Sequence, residues 1–213
     1  MTEMKTEEEQ VEALKKWWQA NGKSLVLTIA VAIGGVLSWN AFQDYQVQQS
    51  EVASSYFQRM LNNAPVGELT EEDQANIRYN SELLKTEFGS STYAQLAALM
   101  VARVEIEANN LDAAVSEFEW VLEQEGDAEI VALTGIRLAS VLAAQGHYDK
   151  AMVLLADNDD AWQLGRLEAR GDLLVAQGKT DDARDAYTQA STIAQATGAK
   201  NPLLGLKLDN LAQ

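Results

Sequence analysis

Residues 165–187 read GRLEARGDLLVAQGKTDDARDAY. Gly178 marks a turn between two helical runs, with the small residue Gly171 seven positions before it. Ala183 stands five positions after the turn and the large Tyr187 nine after. The same spacing recurs twice upstream. Around Asn109 the corresponding residues are Ala102, Ala114 and Phe118, and around Gly146 they are Ala139, Ala151 and Leu155. Three helix-turn-helix units therefore line up on their turns, at offsets of 37 and 32 residues.

These offsets bracket the tetratricopeptide period of about 34 residues, and the residue types have a mechanical reason. Small residues at two crossing points let paired helices approach closely, and a large apolar residue fills the space beside them. The third unit follows the pattern best, with Ala190 also in place, while the first two are degenerate. Beyond it Gly198 and Pro202 punctuate the chain, and Leu203 to Ala212 reads as a final helix with Leu204, Leu208 and Leu211 on one face. Its expected role is to cap apolar surface that the last repeat leaves bare.

Working outward, Thr70 reads as an N-cap, followed by Glu71, Glu72 and Asp73 in the first turn of a helix running to about Phe88. Gly89-Ser90-Ser91 ends that helix, and Asn63 to Leu69, with Pro65 and Gly67, separates it from a polar helix over Gln46 to Asn62. Composition agrees with an all-α class: 213 residues contain 2 Pro, 13 Gly and no Cys. Without cysteine, disulfides, thiolate metal sites and cysteine nucleophiles are excluded.

Between Lys23 and Asp44 lie 20 residues without a charge, SLVLTIAVAIGGVLSWNAFQ. At about 1.5 Å per residue such a helix covers the roughly 30 Å of a hydrocarbon core. Trp17 and Trp18 precede the run and Trp39, Phe42 and Tyr45 stand at its exit, where aromatic rings prefer the membrane interface. Lys15, Lys16 and Lys23 flank it on one side, whereas Asp44 and Glu51 stand on the other and no cation follows until Arg59. The positive-inside bias predicts a cytoplasmic N-terminus and a domain on the far side of the membrane. A cleaved signal peptide fits less well, because the segment before the run is long and acidic and no small-x-small site follows it. A buried core helix would need cover on every side. Ahead of the run, Val11, Leu14 and Trp18 share the face of a short amphipathic helix that Asn21-Gly22 is expected to end at the inner interface, and the first nine residues read as disordered.

The expected organisation is a cytoplasmic segment over 1–23, a transmembrane helix over 24–43, membrane-proximal helices and linker over 44–92, and about three tetratricopeptide-like repeats with a capping helix over 93–213. The formal net charge is −16, nearly all of it in residues 44–213, which carry 12 Lys+Arg against 27 Asp+Glu. Such a surface repels phosphate backbones and anionic headgroups, so nucleic acid and peripheral lipid binding are disfavoured and proteins are the expected partners.

Nothing in the sequence points to catalysis, a cofactor or a metal. The single histidine, His147, sits in the turn of GHYDKA with no nucleophile, base and orienting group around it, and reads as an exposed loop residue. The acidic stretch Asp157, Asp159, Asp160 with Glu168 imitates a calcium loop, but Ala161 and Trp162 stand where that loop needs a ligand and its glycine. No glycine loop of the phosphate-cradling kind is present.

Several stretches, in this order, resemble the YfgM family of ancillary SecYEG translocon subunits of the Gram-negative inner membrane. They are EEQVEALKKWWQANGK before the apolar run, TYAQLAALMVARVEIEANNLDAAV, IRLASVLAAQGHYDKAMVLL and GRLEARGDLLVAQGKTDDARDAY in the units, and LKLDNLA at the end. The resemblance implies a single-pass inner-membrane protein with a periplasmic domain and no enzymatic activity. It also implies association with the SecYEG translocon and with a PpiD-like membrane-anchored periplasmic chaperone, so that translocated proteins pass to periplasmic chaperones. Contact of the segment before Lys23 with a cytoplasmic response regulator is implied as well. Direct holdase activity, or a tethering role in another envelope complex, is the alternative expectation.

Two surfaces follow from the residues. The first helix of each tetratricopeptide unit lines a concave groove, and the register places Leu96, Leu99, Arg103 and Ile106, then Leu133 and Ile136, then Glu168 and Asp172 along it. Helical periodicity does not separate this face from the one turned to the core inside a repeat, so both readings stand for the leucines. Within the apolar run, Ala30, Gly34 and Ser38 recur every four residues and form a stripe open to close approach by another transmembrane helix.

Overall fold

The structure is a computed structural model and describes residues 7–62, 69–124, 126–156 and 162–211. Helices are the regular elements of the described residues. The chain divides into two compact units, Met1–Glu51 and Val52–Gln213.

Helix α1 runs without interruption over Glu7–Asn62. Every residue from 24 to 43 is exposed, which removes the reading of this stretch as a buried core helix. Among the described residues α1 is the one helix long and apolar enough to cross a membrane. The expected break at Asn21-Gly22 is absent. Asn21 Nδ2 donates to the Trp17 carbonyl at 3.1 Å, and the Trp18 ring lies over Gly22, leaving that glycine buried. Glycines that end helices commonly adopt the left-handed conformation, whereas Gly22 is not among the positive-φ residues. A right-handed glycine costs a helix only about 1 kcal/mol, which the long flanking runs absorb.

The second unit holds the end of α1 and the helices α2 (Glu71–Phe88), α3 (Thr92–Glu107), α4 (Leu111–Glu123), α5 (Ala128–Ala144), α6 (Tyr148–Leu154), α7 (Gln163–Ala176), α8 (Thr180–Thr197) and α9 (Pro202–Asn210). Thr70 caps α2 as expected: its hydroxyl accepts from the Asp73 amide, and the Asp73 carboxylate accepts in return from the Thr70 amide.

The three aligned units are the pairs α3/α4, α5/α6 and α7/α8. Their turn residues Asn109, Gly146 and Gly178 have φ of 57°, 82° and 73°, so all three are left-handed. That conformation lets the next amide reach back five residues. Asn110 N donates to Glu105 O at 2.8 Å, His147 N to Leu142 O at 2.8 Å, and Lys179 N to Leu174 O at 2.9 Å. The recurring geometry explains the spacing read in the sequence. Ala102, Ala139 and Gly171, Ala114, Ala151 and Ala183, and Phe118, Leu155 and Tyr187 are all buried. Added to Gly171, a Cβ would be driven into the Tyr187 ring, so this position admits only glycine without a shift of its neighbour.

Within the second unit, the end of α1 and helix α2, read from sequence as membrane-proximal helices, pack against the first repeat helix. Ala53 and Met60 of α1, Ile77 and Leu84 of α2, and Ala94, Ala97, Val101 and Val104 of α3 form one apolar core. The opposite face of α3, with Ala98, Leu99 and Ala102, joins the next core, shared with α4, α5 and α6. α3 is therefore apolar on two sides because it is sandwiched. Polar ties reinforce α2 against the repeats: Arg78 Nε pairs with the buried Glu105 at 2.5 Å, and Lys85 Nζ with Glu117 at 2.9 Å. A third core joins α7, α8 and Leu204 of α9.

Candidate partner surface

Counting back from each left-handed turn residue places the first helices α3, α5 and α7 in one register. Thirteen residues before the turn stand Leu96, Leu133 and Gly165; ten before, Leu99, Ile136 and Glu168; six before, Arg103, Ser140 and Asp172; three before, Ile106, Ala143 and Val175. Burial then separates the two faces that periodicity leaves mixed. Leu99 is buried in the core between the first two units, and Leu96 and Ile136 are half-buried against it. Leu133 is half-buried, while Arg103, Ser140 and Asp172 are exposed, as are Ile106 at 39% and Val175 at 43%. Half-burial of Ile136 has a local cause, since it lies over Gly165 of the following unit.

Arg103 is engaged with Glu107 of its own helix at 2.7 Å. At the third unit the chemistry changes. Glu168 accepts from Lys207 Nζ at 2.8 Å and from Asn201 Nδ2 at 2.7 Å, and Asp172 accepts from Lys207 at 2.8 Å and from the Tyr187 hydroxyl at 2.7 Å. Lys207 Nζ also lies 5.6 Å from the Tyr187 ring centre. Burial, followed by the hydrogen bond to Asp172, pushes the Tyr187 hydroxyl well above the ordinary tyrosine range. For Lys207 burial pulls the ammonium down, but the hydrogen bonds to Asp172 and Glu168 outweigh it and the net displacement is upward.

Val175, Lys207 and Asn201 join this surface, with the buried Tyr187 beneath it, without having been assigned to it from sequence. Val175 was legible, three residues before Gly178 as Ile106 is before Asn109. Lys207 and Asn201 arrive only through the docking of α9. His147 is exposed at the start of α6, in a shallow cleft with Lys150, Gln177 and Lys179. Asp157, Asp159 and Asp160 lie outside the described residues. Among the described residues no group of three or more His, Cys, Asp or Glu is placed to hold a metal ion. Ala30, Gly34 and Ser38 are exposed along α1, and a Cβ added to Gly34 meets nothing within 4 Å.

A family model described as a tetratricopeptide repeat-like domain matches residues 15–213. Three curated relatives are each named ancillary SecYEG translocon subunit. That of Aggregatibacter actinomycetemcomitans is 29% identical over 208 residues, covering 96% of this chain and 97% of the relative. That of Neisseria gonorrhoeae is likewise 29% identical, with the same coverage. The protein of Escherichia coli strain K12 is 26% identical, covering 97% of both chains. No solved structure matches the chain.

Proposed function

Since the chain belongs to the tetratricopeptide repeat-like family over residues 15–213, we propose that it is a non-enzymatic scaffold, anchored in the bacterial inner membrane and associated with the Sec translocon. The observation that carries this is the near full-length similarity, anchor and repeats together, to proteins named ancillary SecYEG translocon subunits. Tetratricopeptide stacks work by presenting an extended surface to other proteins, which suits recruitment rather than chemistry.

In this proposal residues 1–23 are cytoplasmic, 24–43 span the membrane and the remainder is periplasmic. Support for the orientation comes from Lys15, Lys16 and Lys23 on one flank against Asp44 and Glu51 on the other. Ala30, Gly34 and Ser38 form the contact with a neighbouring transmembrane helix, for which their exposure and small size speak. Arg103, Ile106, Leu133, Ile136 and Asp172 line the partner groove, while Leu96, Leu99 and Glu168 support it from below and from the side. The partner it receives is a PpiD-like periplasmic chaperone, and the segment before Lys23 meets a cytoplasmic response regulator.

The absence of native cysteine makes the test direct. Single cysteines at Gln10 and Lys150 should react with a membrane-impermeant maleimide only at Lys150 in intact spheroplasts; the reverse pattern would overturn the orientation. Photocrosslinking probes at Gly34 and Ile106 should trap translocon and chaperone subunits respectively. Recovery of the tagged protein without any translocon subunit after mild solubilisation would refute the association. A second reading, direct holdase activity, is favoured by the exposed Ile106 and Val175. It predicts suppression of client aggregation that Ile106→Asp weakens.

A further inference from the structure

We propose that α9 is an exchangeable strap, which occupies in cis a site that takes a lysine-bearing amphipathic helix of a partner in trans. This goes beyond Sec association and does not rest on it.

The argument starts from how the stack ends. In the first two units the positions ten and six before the turn are Leu99 and Arg103, then Ile136 and Ser140. In the third they are two carboxylates, Glu168 and Asp172. An ordinary continuation of the stack would have placed the first helix of a fourth unit here. α9 takes that place, and its lysine answers both carboxylates: Lys207 Nζ is 2.8 Å from Glu168 Oε1 and 2.7 Å from Asp172 Oδ1. The recognition element is thus a single ammonium between two acids, beside an apolar seat that receives Leu204.

The hold on α9 is slight by comparison with the helices it joins. Leu204 is its one buried residue, with Leu208 half-buried beside it, whereas α8 buries five. Nine residues are too few for a stable isolated helix, which in water needs about 12–15, so α9 persists only while docked. It hangs from Gly198, left-handed at φ 70°, followed by three residues outside any helix. Leu203 and Leu206 remain 57% and 60% exposed, so α9 fills the seat with only part of its apolar surface. A partner helix with the same lysine and a longer apolar face makes the same contacts and adds more. The occupant is specified by charge: the two carboxylates Glu168 and Asp172 face one ammonium, so the seat takes a cation.

The test uses the full-length protein in detergent micelles and, as probe, a fluorescein-labelled peptide of residues 199–213. Wild-type protein should bind the peptide poorly because α9 competes in cis, since occupancy of the closed state reduces apparent affinity by the competent fraction. Lys207→Glu leaves Glu168 and Asp172 intact while repelling the strap. It should bind the wild-type peptide at least about tenfold more tightly, in proportion to the freed fraction. Amide exchange over 202–211 should lose its protection in the same variant. A peptide carrying Lys207→Glu should fail to bind. If the charge reversal lowers the melting transition of the whole repeat stack, Lys207→Met, close in size and uncharged, replaces it. Absence of any gain in peptide binding, or retained exchange protection, would show a fixed cap and overturn the proposal. Equal binding of both peptides would overturn it as well, by showing that the lysine is not what is recognised.

Discussion

At the residue scale the fold turns on a few positions where size or handedness admits little choice. Gly171 faces the Tyr187 ring so closely that Gly171→Ala forces that buried ring, or the helix carrying it, to shift. We expect a loss of about 1–3 kcal/mol, the usual range for overpacking, read as a lower melting temperature by circular dichroism. The turn residues give a paired prediction of opposite sign. Gly178→Ala places a Cβ at φ 73° and should cost about 1–2 kcal/mol. Asn109→Gly, at φ 57°, relieves the one non-glycine residue held there among the described residues, and should be neutral or stabilising by less than about 1 kcal/mol. Denaturant midpoints of the two variants, compared with the parent, check both signs. Equal losses would mean that the turns are set by tertiary packing rather than by backbone preference.

At the element scale α9 is the part whose attachment depends on ionisation. Tyr187 and Lys207 both hold their protons more firmly in the folded chain than their ordinary values of 10.0 and 10.5. When the folded state binds more protons than the unfolded one, stability declines with rising pH. Their contribution is therefore fully present below pH 10.0 and is lost as pH climbs through the displaced values. Amide exchange of 202–211, corrected for its intrinsic base catalysis, should lose protection above that pH before α3 to α6 do. Tyr187→Phe should remove part of the dependence. Simultaneous loss throughout the stack would refute a local cause.

At the scale of the whole molecule the boundary of the second compact unit lies inside α1, not at the first recognisable repeat. A fragment beginning at Val52 keeps Ala53 and Met60 and the half-buried Tyr56 and Phe57, and should be monomeric and fully helical. A fragment beginning at Tyr93 strips the cover from Ala97, Val101 and Val104. Exposing that much contiguous apolar surface promotes association, so this shorter fragment should self-associate. Light scattering after size exclusion separates the two outcomes, and a monodisperse 93–213 fragment would show that α1 and α2 are dispensable.

What was legible in the sequence was local. A left-handed turn demands Gly or Asn, close helix crossings demand Ala or Gly, and an uncharged run of 20 residues has a length that matches a bilayer. Each constraint acts on one residue or one helix, so Asn109, Gly146 and Gly178 disclosed the repeats, and Thr70 disclosed the start of α2. Contacts between distant segments were not legible. α1 and α2 carry no repeat signature, and their role in the stack depends on Ile77 and Leu84 meeting the far face of α3. The helix end expected at Asn21-Gly22 failed because a Trp18 ring and an Asn21 hydrogen bond sustain the helix through it. Likewise the sequence presented Glu168 and Asp172 as two acids on a helix surface; only tertiary structure, bringing Lys207 from 35 residues away, made them the seat of the final helix. A side chain's own preference is written at its position, but its partner is chosen by chain folding.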